Sequence, residues 1–435
     1  MRAKLLPDTA RRRELSLTPL KALFLLFPVW YLAGIGSFVW ALAGIAMLLI
    51  LMTRTEVDTP WGSGVWFLFV AWMLLSALQI DTTTRVLVFA YRASIYGAAT
   101  VLFLYVYNLP HDLTRRVAGI IGGFFAIVVG GGYLGLLVPG FSLVTLAERI
   151  LPRSLTANSW VYSLVHVHFA QIQSLVVGEQ AVARPDAPFP FTNEWGAVFA
   201  LTAPFAVIAA FSAATRFRRN AMRFTLAVSP VPLVLSGNRG AWLVLGGALV
   251  YAAFRLARRG RVRLLLTLAV VAALGAFVLV STSIGSTVAT RSEHKQSNEG
   301  RLSIYTETIQ GVEDSPLFGH GVPELQSSDP NLPAAGTHGQ VWDTLYSQGI
   351  PGAVLYCGFL ILMAWRTRRL RSRMGLCLHL TLLMAVAETL FYGQLPTVLQ
   401  VIMVAAALGL MEVAEEESSS ESAPPRRLVR LRAVA

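Results

Sequence analysis

His338 stands in "GTHGQVWDTLYSQGIPG", residues 336–352, where a long hydrophilic stretch gives way to an apolar run. An imidazole, with an ordinary pKa of about 6.5, can take a proton around neutrality. Asp343 follows closely enough to reach the same helix end and orient the ring. A surface histidine beside a flexible glycine is the competing reading. Two arginines have the setting of anion binders. Arg239, in "SGNRGAWLVL", opens an apolar run with Asn238 or Ser236 placed to cap it. Free N–H groups at a helix start, joined by a guanidinium, suit an anion. An interfacial anchor reaching for headgroups would look similar. Arg301, in "NEGRLSIYTETIQG", falls in the first turn of a helix on which Leu302, Tyr305, Ile309 and Val312 share one face. Pairing with Glu299 or Glu307 is its alternative.

Arg92 lies about seven residues inside an apolar run, roughly 10 Å deep, and Arg85 is two turns above it on the same face. A charge at that depth needs a partner or a water-filled cavity. A lipid phosphate would serve, and so would Glu388 near the end of a later run. His166 and His168, in "VYSLVHVHFAQ", lack a third ligand, and i, i+2 spacing on a helix does not converge, so no metal is expected there. His320, in "LFGHGVPEL", reads as a structural turn residue. Cys357 and Cys377 sit in apolar runs and imply no disulfide.

The elements that must position these residues are apolar. The chain is 55% hydrophobic and 14% charged, with a mean hydropathy of +0.58, which excludes an ordinary soluble protein. Twelve apolar runs can be read, at 19–34, 36–53, 61–80, 86–108, 117–139, 194–213, 222–236, 239–257, 262–282, 342–365, 374–392 and 394–411. Pro230 and Pro232 should interrupt the seventh. The last two adjoin closely enough to form a re-entrant pair, and the first resembles an uncleaved signal anchor. Of the 36 basic residues, 27 fall on one side if both ends are cytoplasmic. The net charge of +12 is therefore topological and suits an anionic leaflet, with no nucleic acid needed. Arg85, Arg92, Arg149, Arg153, Arg184, Arg239, Arg291, Lys295 and Arg301 depart from that pattern.

The expected layout begins with a basic cytoplasmic N-terminus, 1–18, and five spans within 19–139. An outer loop, 140–193, leads to four spans within 194–282. A larger outer loop, 283–341, is followed by three spans within 342–411 and a disordered cytoplasmic tail, 412–435. Both long loops share one face, where function is expected. No internal repeat is visible, which disfavours a lipid flippase or transporter.

An arginine in "S-x-N-R-G-A-W" is followed by an arginine-led amphipathic helix ending "DSPLFGHG", then "T-H" and "L-x-x-x-G-I-P-G". In this order the chain resembles the O-antigen ligase family, within a wider group of ligases, polymerases and oligosaccharyltransferases. "FPFTNEWGAVFAL" looks like the family's segment entering the sixth span, with Asn193 at a recurrent asparagine. The family often has asparagine after the histidine, where this chain has Gly339. The resemblance covers most of the chain in topology, and its motifs concentrate between about 236 and 352.

The resemblance implies an all-α, GT-C-like polytopic protein of the bacterial inner membrane. It would have about twelve transmembrane helices and a large periplasmic loop containing amphipathic helices. The implied reaction moves a preassembled polysaccharide from undecaprenyl pyrophosphate to a sugar hydroxyl of lipid A-core. That chemistry is inverting and metal-independent, without cofactor or ATP. His338 would be the base, and Arg239 and Arg301 would bind the pyrophosphate, with Arg92 and Arg85 extending the site. Asn193, Asn238, Asp343 and Glu388 would support it. An O-antigen polymerase or a protein-directed oligosaccharyltransferase would use the same donor. A non-catalytic scaffold would leave the motif cluster unexplained.

Overall fold

The computed structural model describes residues 15–173, 182–260, 262–263, 295–324, 336–337 and 339–421. Within them every predicted apolar run forms helix; the ninth, 262–282, lies almost wholly outside the described residues. In chain order the first helices are Thr18–Leu25 (α1), Phe27–Leu32 (α2), Val39–Met52 (α3), Ser63–Leu75 (α4), Thr83–Tyr107 (α5) and Thr114–Leu137 (α6). Three short helices follow, Leu146–Ile150 (α7), Arg153–Thr156 (α8) and Ser159–Val165 (α9). The bundle resumes with Thr192–Ser212 (α10), Arg216–Val228 (α11), Pro230–Leu235 (α12) and Arg239–Ala257 (α13). The last are Lys295–Asp314 (α14), Gln340–Thr367 (α15), Arg373–Glu388 (α16) and Thr397–Glu421 (α17).

Six helices among the described residues are long and apolar enough to cross a membrane, fewer than the predicted twelve. Two reasons are local. The first run breaks between α1 and α2, where Pro28 cannot donate a backbone hydrogen bond. The seventh breaks at Ser229, before Pro230 and Pro232, as expected. Its first part, α11, carries Arg216, Arg218, Arg219 and Arg223, while Phe217 and Phe224 stay exposed. That composition suits a helix lying in an interface better than one crossing a bilayer. Val39–Met52 and Ser63–Gln79 are apolar but short.

The expectation of an all-α chain is also corrected in the 140–193 loop. Ser142–Leu143 (β1) pairs with Val167–His168 (β2), and Ala170–Gln173 (β3) pairs with Val182–Pro185 (β4), both antiparallel. Glycines let this loop lie against α6. A Cβ at Gly135 would fall 2.3 Å from the Phe169 carbonyl oxygen, so only glycine permits the approach.

At the centre runs α17, whose residues 398–413 are buried and, but for Gln400 and Glu412, apolar on all sides; they pack on α5, α10, α15 and α16. Ala405, Ala406 and Ala407 let its neighbours come close, and close van der Waals packing is what holds helices together in lipid. Beside it Trp66, Phe69, Tyr96 and Tyr356 form a buried aromatic cluster with ring centroids 5.1–6.2 Å apart, joining α4, α5 and α15. Tyr356 seats the part of α15 beyond Gly349 in this cluster, and the Tyr96 hydroxyl accepts from Gln340 Nε2 at the helix start (3.3 Å).

Candidate active site

The site is built around a break in α15. Gly349 has φ 69° and ψ −173°, so the helix stops and restarts there. Pro351 has no N–H, which leaves the Ser347 carbonyl without its usual donor four residues on. The turn of "DSPLFGHG" fills the gap. His320 N–H donates to the Tyr346 carbonyl (2.9 Å), Gly321 N–H to Ser347 (2.7 Å), and Ile350 N–H to Pro316 (2.9 Å). Both glycines are obligatory. A Cβ on Gly319 would sit 2.5 Å from the Tyr346 oxygen, and one on Gly349 would sit 2.4 Å from that of Leu317. The two sequence motifs, read separately, are thus one structural unit.

Gly349→Ala is therefore expected to lower the thermal midpoint of the purified protein. The positive-φ extended backbone alone, a conformation essentially confined to glycine, costs about 1–3 kcal/mol, and the overlap adds to it. An unchanged midpoint would refute the interlock.

Other side chains brace the turn. Trp72 Nε1 donates to the carbonyls of Leu317 (3.2 Å) and Gln348 (3.0 Å), and its ring stacks on Phe318. His320 is 2.8 Å from the Gly311 carbonyl through Nε2 and lies against Tyr346, the structural role expected of it. Arg85 donates to the His320 carbonyl (2.6 Å) and to Asp81 (3.0 Å). The structure thus places Arg85 on the turn itself.

Arg92 forms an ion pair with Asp343, with side chains only 11% and 12% exposed. Ser347 Oγ also approaches Asp343, at 3.5 Å. The sequence requires a partner for Arg92, but the partner is Asp343 rather than Glu388. Glu388 is fully buried at the end of α16, and neither of its carboxylate oxygens has a hydrogen-bond partner among the described residues.

Helix starts leave N–H groups unpaired, and here a single connecting segment, residues 389–394, meets that need twice. Gln340 N–H donates to the Tyr392 carbonyl (2.8 Å) and Val341 N–H to that of Thr389 (3.0 Å). The Tyr392 hydroxyl accepts from Ala241 N–H at 2.8 Å, in the first turn of α13. Gln340 Oε1 accepts from Gln394 N–H (2.7 Å), and Gln394 Oε1 accepts from the Tyr356 hydroxyl (2.5 Å). Gly339 enters this junction with φ 91°, and a Cβ there would lie 2.7 Å from the Leu390 oxygen. Any side chain at this place would collide.

Asn238 does not cap α13 as expected. Its side chain is buried and donates to the carbonyl of Thr192 (3.0 Å) and to Ser236 Oγ (3.2 Å). Arg184 binds the same turn, through the Ser236 carbonyl (2.9 Å) and Asn238 Oδ1 (3.4 Å). Asn193 is half-buried in the first turn of α10, next to Glu194, which accepts from Thr397 N–H at 3.4 Å. Arg239 is exposed as the first residue of α13.

His338 lies outside the described residues, as does the side chain of Arg301, whose backbone belongs to α14. The helices beside them are nevertheless joined. Tyr305 of α14 stacks on Trp342 of α15 at 4.3 Å, and Gly336 N–H donates to Thr308 Oγ1 at 3.1 Å. The starts of α13 and α15, and the body of α14, therefore meet at one edge of the bundle.

His166 and His168 stand on extended backbone rather than on a helix, so they face different partners. His168 Nε2 is 2.9 Å from Asp186 Oδ2, whose side chain is fully buried. Hydrogen bonding to Asp186 raises the His168 pKa, and burial pushes Asp186 up to about 6. Among the described residues, ligand atoms spaced for a metal occur in His111, Glu412 and Glu415. His111 lies in the turn between α5 and α6, and Glu412 and Glu415 in the C-terminal half of α17.

Tyr392 and the Gly349–Pro351 break escaped the sequence reading. The proline's missing donor was the available signal for the second; nothing local announces the first.

No curated protein matches the chain. Residues 224–357 match the family model described as O-antigen ligase, a stretch running from α11 into α15 and containing Arg239, Arg301 and His338. Over that stretch, less than a third of its length, the chain is similar to the O-antigen ligase family.

Proposed function

We propose that the protein is an O-antigen ligase of the inner membrane, working on the periplasmic face with both termini in the cytoplasm. It would move preassembled O-antigen from undecaprenyl pyrophosphate to a sugar hydroxyl of lipid A-core. The observation that carries this reading is Tyr392. Its hydroxyl meets the helix start that bears Arg239, and its carbonyl meets the helix that follows His338. One residue thereby ties the helix that bears Arg239 to the helix that follows His338 in the chain.

In this mechanism Arg239 and Arg301 hold the pyrophosphate and stabilise the negative charge that grows on it as the anomeric C–O bond breaks. His338 takes the proton of the acceptor hydroxyl as its oxygen attacks the anomeric carbon. Attack opposite the leaving group inverts that centre, by single-displacement logic. The energy is that of the phosphate linkage, so the reaction needs neither ATP nor a cofactor. Arg85 and Arg92 enter as supports of the site's walls, since each is engaged by protein atoms.

The test is transfer by the purified protein with the undecaprenyl-linked donor held fixed and the acceptor varied. Product on lipid A-core, undiminished by EDTA, is expected. Product only on a second donor would make it a polymerase, and product only on protein an oligosaccharyltransferase. No product on any acceptor would overturn the reading.

A further inference from the structure

The 140–193 loop holds a second set of matched side chains that the ligase reaction does not use. Ser142 lies on β1, Glu148 on α7, and His166 at the end of α9. Local rules bring them together. Asn158 caps α9 by accepting from Trp160 and Val161 N–H, and the helix ends at Val165, leaving His166 extended. Thr145 caps α7 by accepting from Glu148 N–H (3.1 Å), while its hydroxyl donates to the Val165 carbonyl (2.7 Å). That pair of bonds sets Glu148 beside His166. Pairing of β1 with β2 then brings Ser142 across from His168, next to the same imidazole.

His166 Nδ1 is 2.9 Å from Glu148 Oε2, and Nε2 is 2.7 Å from Ser142 Oγ. An ionised carboxylate only accepts, so it takes the Nδ1 hydrogen of the neutral ring. Nε2 is then left with its lone pair, and the serine hydroxyl must donate to it. This is the tautomer a general base needs. Accessibility is graded in the matching order. The side chains of Glu148 and His166 are 15% and 12% exposed, whereas Ser142 is open to solvent. Tyr162 stacks on the imidazole at 4.6 Å and fixes its plane. Leu143 and Val144, next to Ser142 in the chain, and Leu146 and Ile150 on α7, the helix that carries Glu148, are 37–73% exposed and make this part of the loop's surface apolar.

We propose that Ser142, His166 and Glu148 form a serine-nucleophile site for carboxylic esters with apolar acyl chains. Ser142 Oγ bonds to the ester carbonyl carbon and gives its proton to His166 Nε2. The carbon–oxygen bond to the alcohol breaks, and the alcohol leaves with that proton. Water then attacks the acyl-serine, His166 again relays the proton, and serine and free acid are released. Ester and water become acid and alcohol, with no oxidation or reduction.

The purified full-length protein, in lipid nanodiscs, should be treated with an alkyl fluorophosphonate and mapped by mass spectrometry. Modification at Ser142 is expected, absent in Ser142→Ala and slowed about 10²- to 10⁴-fold in His166→Gln. Glu148→Gln should slow it less. Hydrolysis of p-nitrophenyl laurate should exceed that of p-nitrophenyl acetate. A wild-type Ser142 that stays unmodified would overturn the site, as would equal labelling of wild type and His166→Gln. Equal hydrolysis of the two esters would overturn the acyl class.

Discussion

Asp343→Asn is expected to destabilise the protein by about 3–5 kcal/mol, because it leaves the Arg92 guanidinium charged and unpaired in a nearly water-free setting. The pair is 11% and 12% exposed, and Arg92 Nε already lacks a hydrogen-bond partner among the described residues. Removing the other partner, in Arg92→Met, should cost a similar amount. The double variant Arg92→Met with Asp343→Leu should recover most of the loss, since apolar groups of similar volume can replace a buried pair without penalty. Thermal unfolding of the detergent-solubilised variants measures all three. A harmless Asp343→Asn would show that the ion pair contributes nothing. Loss of glycan transfer in a variant of normal stability would instead favour Asp343 as a partner of His338.

His338→Ala is expected to lower transfer to lipid A-core by about 10²- to 10⁴-fold, the usual worth of a positioned base. Donor binding should persist, because the base touches only the acceptor hydroxyl. Arg239→Ala and Arg301→Ala should behave in the opposite way, losing donor affinity or turnover through the pyrophosphate. Binding of a labelled undecaprenyl pyrophosphate donor, measured beside the transfer rate, separates the two effects. Full transfer by His338→Ala would remove it from the mechanism.

Hydropathy made the helices legible, because burial and membrane length act on composition run by run. The prolines at 230 and 232 marked a real interruption, and the periodicity of 302–312 marked a real helix. What stayed hidden depends on contacts between distant segments. Depth in an apolar run shows that Arg92 needs a counter-charge but cannot choose between Asp343 and Glu388. The donor–acceptor match at the start of α13 comes from Tyr392, 151 residues away in sequence. Strands of two to four residues, as in the 140–193 loop, are too short for an alternating pattern to register. His166 and His168 lie past the end of α9 and on β2, where helical spacing does not apply.

The interlock at Gly349 also bears on chain length. Gly321 is fastened to the Ser347 carbonyl and Gly336 to Thr308, so both ends of the 322–335 connection are tied to helices that already pack together. The closure entropy of such an excursion grows only slowly, by about 0.6 kcal/mol for each doubling of its length. The residues at its two ends are held by the packed helices themselves, so their spacing is set by the scaffold and not by the length of chain between them.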